Sequence, residues 1–293
     1  MSLSAYINII LNGICIGGLY GLSSSAFSFE IGALKMANFA YGSSVMVSMY
    51  CTYFFFRQAV LPFPLVIACV VVINFIIGWL IRKTVLKITT DHNLNILCTM
   101  GLELIFINAI LFIFTAKPVD MAFLEARVYF TPEISVGLIQ LICLGLAALL
   151  LLGFSLFLQN TWTGRAIRAV VQNKDVANLM GIDSDRILDI AFAASYILIG
   201  VSGMMLIMLF PADPQFGNYI TLIAFVVCVV AGLGNLWGSF LTGVLVGVLS
   251  ALISTIFGSI YHDPLLFALF VVILLVRPNG LFTKKSRVLT RRI

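Results

Sequence analysis

From Pro214 to His262 the chain carries no Asp, Glu, Lys or Arg, and neither do residues 1–29 or 134–164. Uncharged runs of this length leave few folds open. A backbone placed in hydrocarbon must satisfy its own N–H and C=O groups, which only helices and closed barrels do. A helix needs ~20 apolar residues to cross a ~30 Å hydrocarbon core, whereas a barrel strand needs about ten with period-2 alternation. These runs are continuous rather than alternating, so they read as helices. The composition agrees: 61% of residues are hydrophobic and 10% are charged, against about 25% charged in soluble domains. The mean hydropathy is +1.12.

Membrane segments are expected at roughly 4–29, 37–56, 62–81, 93–115, 134–158, 187–210, 219–233, 239–257 and 264–277. The seventh and ninth are short for a full crossing, so one re-entrant piece among complete spans fits equally well. The expected fold is therefore all-α, a polytopic helix bundle of about 8–9 membrane segments. One transmembrane domain is expected over 1–293, with a polar cytoplasmic segment at 160–186. The first 29 residues lack the basic stretch of a cleaved signal peptide and read as a retained span.

Orientation follows from Lys and Arg, which concentrate in cytoplasmic connections. A cytoplasmic C-terminus puts Lys35, Arg82, Lys83, Lys87, Arg165, Arg168, Lys174, Arg186, Arg277, Lys284, Lys285, Arg287, Arg291 and Arg292 inside. Only Arg57, Lys117 and Arg127 are left outside. The N-terminus is then outside. The net charge of +5 borders the membrane and faces anionic lipid rather than nucleic acid. Asp120, Glu125, Glu133, Asp213 and Asp263 fall in outer connections, where they either meet a soluble partner or stay as solvated charge. The six cysteines sit in apolar runs without CxxC spacing and read as small packing residues.

The longest polar stretch runs from Gly164 to Arg186 and breaks into two short helices. Ala166, Ile167, Ala169, Val170 and Val171 give one apolar face; Val176, Ala177, Leu179 and Met180 give another. Asn173 is placed to cap the second helix with Asp175 in its first turn. Gly181 ends that helix, and Asp183 caps the next membrane segment. Such an element either presses into a groove on a cytoplasmic partner or lies at the interface with Arg165 and Arg168 on lipid phosphates. Within the expected spans, Glu103 is the one deep charge, about 15 Å along its helix from Asn93. Asn95, Thr99 and Glu103 share one face, either as pathway lining or as a carboxyl holding helices together. Asn12, Asn38, Tyr41 and Asn108 can hydrogen-bond inside a bundle. Gly13, Gly17 and Gly21 lay a groove along the first span, and Gly243 and Gly247 repeat the spacing later. No nucleophile–base pair, zinc cluster or Walker A sequence is evident, so no catalytic or metal site is expected.

Four patterns in order resemble the branched-chain amino acid permease family, the membrane subunits of ATP-binding-cassette importers. Near the N-terminus these are Asn12-Gly13, Gly17, Tyr20, Leu22, Gly32 and Asn38-Phe39-Ala40-x-Gly42. Later come Gly164-Arg165-Ala166-x-Arg168-Ala169 with Asn173, Ala177 and Gly181-Ile182-Asp183-x-x-Arg186. The last two are Ala231-Gly232-Leu233-Gly234-Asn235-x-x-Gly238 and Arg277-Pro278-x-Gly280-Leu281-Phe282. Departures fall at Ala26 and Ala231 (commonly Gly), Tyr41 (His), Trp237 (Pro) and Glu103 (a small or hydroxyl residue).

The resemblance implies a permease moving a small polar solute, with branched-chain or other amino acids first and urea or amides as alternatives. It implies that Gly164, Arg165, Ala166, Arg168, Ala169, Asn173, Ala177, Gly181 and Asp183 form the element that docks on an ATPase. Asn12, Asn38, Tyr41 and Glu103 are the pathway candidates. The implied partners are a second permease subunit, in a heterodimer by family habit, two ATPases carrying ATP and Mg, an extracytoplasmic binding protein, and lipid. The chain itself would bind no cofactor and catalyse no reaction, and it would lie in the cytoplasmic membrane of a prokaryote. The competing class is an ion-coupled secondary transporter using Glu103.

The orientation has a direct test. A cysteine at position 286 is expected to react only from the cytoplasmic side and one at 122 only from outside. Labelling in the opposite sense would reverse the assignment.

Overall fold

The computed structural model describes residues 3–36, 38–87, 92–121, 126–131, 134–258, 261–277 and 280–282. Several positions named above fall outside them: Glu125, Glu133, Pro278, Lys284, Lys285, Arg287, Arg291, Arg292 and the two labelling positions. The helices are α1 (Leu3–Ser28), α2 (Tyr41–Tyr53), α3 (Phe63–Ile81), α4 (His92–Phe114), α5 (Leu138–Asn160), α6 (Trp162–Gln172) and α7 (Lys174–Leu179). They continue with α8 (Ser184–Leu206), α9 (Phe216–Ala231), α10 (Leu236–Phe257) and α11 (His262–Val276). The chain is an all-α polytopic membrane protein. Among the described residues six helices are long and apolar enough to cross a bilayer, and α9 and α11 are shorter.

Three expectations shift. Residues 38–40 are not helical, and the expected second span starts only at Tyr41. Residues 134–137 form a strand, β2 (Ile134–Gly137), paired antiparallel with β1 (Arg127–Thr131) ahead of α5. α8 begins three residues early because Asp183 accepts from Arg186 N and fixes its first turn. Of the cysteines, Cys15, Cys143 and Cys228 are buried as expected, whereas Cys98 is exposed on α4.

The two glycine runs find each other. α1 lies along α10 so closely that a Cβ on Gly17 would sit 2.7 Å from Val244 Cα. One on Gly243 would meet Gly21 Cα at 2.2 Å, and one on Gly247 would meet Gly17 Cα at 2.3 Å. Lipid offers no hydrophobic drive for helix association, so such backbone-on-backbone contact supplies the dispersion that holds the pair.

π-helical turns end α1, α2 and α3, at Phe29–Ala33, Phe54–Gln58 and Arg82–Leu86. The first matters most for function. It widens the helix around Glu30 before Lys35, at φ 55, turns the chain towards α2.

Gly247→Leu is expected to separate α1 from α10 and lower the thermal midpoint of purified protein, because an overpacked site costs about 1–3 kcal/mol or more. Gly145, whose Cβ would meet nothing within 4 Å, should accept Ala with no change. Equal tolerance at both positions would contradict the seam.

Candidate functional site

Two regions gather the polar side chains of this apolar molecule. The first lies where α1 breaks. Glu30 is completely buried, and among the described residues it is the only carboxylate in the buried set. Ser195 of α8 donates to one carboxylate oxygen at 2.7 Å, and Asn38 Nδ2 donates to the other at 3.1 Å. Asn38 Nδ2 also donates to the Tyr196 hydroxyl at 2.8 Å, and Ser44 Oγ lies 3.4 Å from that hydroxyl. Tyr196 is about 18 Å along α8 from its first residue, so this node sits mid-helix. Burying a carboxylate so deep is tolerable only because its oxygens are hydrogen-bonded.

The Asn38–Gly42 run owes its residue types to this place. Phe39 N donates to Thr99 of α4, and Ala40 O receives the Ser44 hydroxyl. Tyr41 donates to Ser23 O. Gly42 N donates to Thr221, and its missing side chain admits Gly217 O, which a Cβ would approach to 2.0 Å.

The four pathway candidates therefore separate. Asn38 and Tyr41 meet at the broken junction, and Asn38 Oδ1 has no hydrogen-bond partner there. Asn12 lies elsewhere on α1, donating to Asn8 O. Glu103 is half-buried on α4, on the same side as Thr99. It is not the one deep charge: Glu30 lies deeper, one residue past the expected end of its span. Arg82 and Asp189, 3.6 Å apart and largely buried, add a charge pair between the end of α3 and α8.

The second region is α6–α7. Thr161 Oγ1 accepts from Gly164 N, and Asn173 Oδ1 accepts from Asp175 N and Val176 N. Gly181 turns at φ +82, and Lys174 pairs with Asp185 at 2.9 Å, tying α7 to α8. Gly164 must be glycine because a Cβ would meet Leu158 O at 2.4 Å. Arg168 donates to the carbonyls of Leu158 and Gln159 at the end of α5, where the helix dipole favours a cation. Its guanidinium is thus engaged within the chain, while Arg165 is exposed and Ala169 half-buried. Ala166 and Ala177 are buried within the chain, Ala177 at 4% exposure. The Ala177 methyl therefore packs within this chain rather than on its surface. Leu179 at 86%, Met180 at 78% and Val176 at 52% point outward instead. The motif residues build the shape, and the three apolar side chains beside them occupy its surface.

The remaining two motifs join at the same end. Gly232 (φ +97) and Gly234 (φ +83) turn the α9–α10 loop, and Asn235 accepts from Gly238 N to start α10. A Cβ on Gly32 would lie 2.0 Å from Gly234 N. Leu281 N donates to Val230 O, and Asn235 Nδ2 donates to Phe282 O. A cavity of about 310 Å³ lies between this loop and α5–α6, bordered by Phe29, Gln159, Arg168 and Leu236.

These junctions span nearly the full chain, and so does the match to known proteins. A family model described as branched-chain amino acid transport system / permease component covers residues 9–274. The chain belongs to that family. Similar proteins include the high-affinity branched-chain amino acid transport system permease protein BraD of Pseudomonas aeruginosa, 25% identical over 94% of this chain and 95% of its own. LivH of Escherichia coli K12 is 24% identical over 93% and 94%. The probable permease protein LivH of Methanocaldococcus jannaschii is 25% identical over 84% and 83%. No solved structure matches the chain. As a member of this family the chain is a permease, and the secondary-transporter alternative is not favoured. Among the described residues no group of three or more His, Cys, Asp or Glu is placed to hold a metal.

Sequence reasoning missed Glu30, Ser195 and Tyr196. The charge at position 30 could have been caught, since it falls directly after an uncharged helix and before the Asn38 motif. Glu30→Leu is expected to strip Ser195 and one Asn38 N–H of their carboxylate acceptor, leaving Phe192 O and the Tyr196 hydroxyl as the remaining partners. It should lower the thermal midpoint, a stranded donor costing about 1–3 kcal/mol. Glu30→Gln, which keeps one acceptor, should lose less. A Leu variant as stable as the wild type would contradict the node.

Proposed function

We propose that this permease is the membrane subunit of an ATP-binding-cassette importer for branched-chain and similar apolar amino acids in a prokaryotic cytoplasmic membrane. It works beside a second permease subunit, two ATPases that hold ATP and Mg, and an extracytoplasmic binding protein. The N-terminus is outside, and the α6–α7 element faces the cytoplasm, following the distribution of Lys and Arg. The chain itself binds no nucleotide.

The observation that carries this reading is the apolar tip Val176, Leu179 and Met180 on a capped element that the Lys174–Asp185 ion pair ties to α8. Exposed apolar side chains on a rigid helix suit insertion into a groove. Movement of the ATPases would push α7, and α8 would carry that displacement as a rigid body to Ser195 and Tyr196. There it meets Glu30 and Asn38 at the broken α1–α2 junction, where a shift would alter access past Tyr41. Glu103 is a secondary pathway candidate, on the face that α4 offers beyond Thr99.

Proteoliposomes holding the assembled transporter should take up leucine only when ATP is supplied to the ATPase side. Uptake driven by a proton gradient without ATP would overturn the proposal. Leu179→Asp with Met180→Asp should cut ATPase co-purification by about tenfold or more, since buried apolar anchors carry about 2 kcal/mol or more each. Thermal stability of the permease should be unchanged, because both side chains are exposed.

A further inference from the structure

α4 is long and apolar enough to cross the bilayer, yet only 11% of its most apolar stretch is buried in this chain, against 83% in α8. It leans on α2 and on the π turn that ends α3. Thr99 and Ile110 mark the covered side. Beside them the helix is bare. Leu97 at 63%, Met100 at 43% and Leu104 at 62% exposure follow at spacings of three and four residues, and exposed Asn108 extends the row. That spacing lays one stripe along the helix.

An apolar stripe alone would suit lipid, but this one has a carboxyl at its edge. Glu103 lies between the Thr99 side and Leu104, about 15 Å along the helix from Asn93 and so at mid-span. It is half-buried, and among the described residues no hydrogen bond or charge reaches it. The contrast with Glu30, which receives Ser195 and Asn38, is direct. α2, the helix packed alongside, contains no Lys, Arg or His. Asn95, on the same side as Glu103, keeps a buried Oδ1 without a hydrogen-bond partner. Asn108 turns its Nδ2 back onto Leu104 O for want of another acceptor. Lipid tails offer neither donors nor acceptors, and a carboxyl at this depth needs a polar neighbour.

A second copy of this chain does not supply one. Two copies related by an axis along the membrane normal meet at equal depths, which sets Glu103 against Glu103. Two carboxyls in one apolar site oppose each other's ionisation. We propose that this flank of α4 is the seam with a second, non-identical permease subunit. The facing helix of that subunit carries a basic or amide side chain opposite Glu103, and small or apolar residues against Leu97, Met100 and Leu104. The proposal rests on reading the chain as one of two permease subunits. Pairing at Glu103 sets the register of the two halves and disfavours a copy of this chain in the partner's place.

The test places photoreactive benzoylphenylalanine at position 104 of the assembled transporter. Position 271 serves as the comparison, because Val271 is also bare, at 52% exposure, on α11, which packs against α9 and α10 instead. Illumination should join position 104 to the second permease subunit and give no such product from position 271. Glu103→Leu should lower co-purification of the second subunit by about threefold to tenfold, the worth of one hydrogen bond between membrane helices, and Glu103→Gln should lose less. Neither should lower the thermal midpoint of this chain, since no partner within it is lost. Crosslinking from position 104 to lipid alone or to a second copy of this chain would overturn the seam. So would equal crosslinking from both positions, or a Glu103→Leu variant that assembles like the wild type. A wild-type preparation that holds no second permease subunit would instead remove the paired-permease reading beneath it.

Discussion

A carboxylate buried in the middle of an apolar bundle can stay there only if its surroundings are built to receive it. Glu30 is received by Ser195 on one side and Asn38 on the other. That single requirement fixes three things together. It holds the π-helical end of α1 against the middle of α8. It also sets where the chain leaves α1, and it places the start of α2 deep in the bundle, with Gly42 against Gly217. At this depth no water satisfies the non-helical residues 38–40, and Phe39 N and Ala40 O find Thr99 and Ser44 instead.

In the proposed mechanism that node is moved from one end. α8 leads from it to the short turn at Gly181 that joins α7, and Lys174–Asp185 and Asp183–Arg186 tie that corner together. The glycine seam between α1 and α10 offers the opposing rigid surface, anchored where Gly32 meets Gly234. In the proposed mechanism a displacement of α7 would pass through this tied corner to α8. It would arrive at the contacts of Ser195 and Tyr196 with Glu30 and Asn38, where a packed interior can switch rather than flex.

Much of this was legible in the residues. Glycine at four-residue spacing predicts close helix contact because the requirement is local, and the two runs proved to be each other's partner. The caps at Asn173 and Asp183 and the turn at Gly181 were equally local, and they stand. What failed were judgements of burial. Hydropathy ended the first span at residue 29, so Glu30 read as a boundary charge and Glu103 as the deep one. Only the chain's return through Asn38 and the approach of Ser195 from 165 residues away reverse that order. Ala177 makes the same point: an apolar face seen in sequence does not say which of its side chains pack within the chain, and Ala177 does. The β1–β2 hairpin was hidden because its strands are short and adjoin a long apolar helix.

The central claim is that α7 and α8 move together against the broken junction of α1 and α2 when the ATPases close. Spin labels at Leu179, on the exposed tip, and at Lys35, exposed beside the π turn, would report that displacement as a distance distribution in the assembled transporter. The account predicts that trapping the ATPases with ATP and vanadate shifts the Leu179–Lys35 distribution relative to the nucleotide-free state. An unchanged distribution in a preparation that still transports leucine would contradict it.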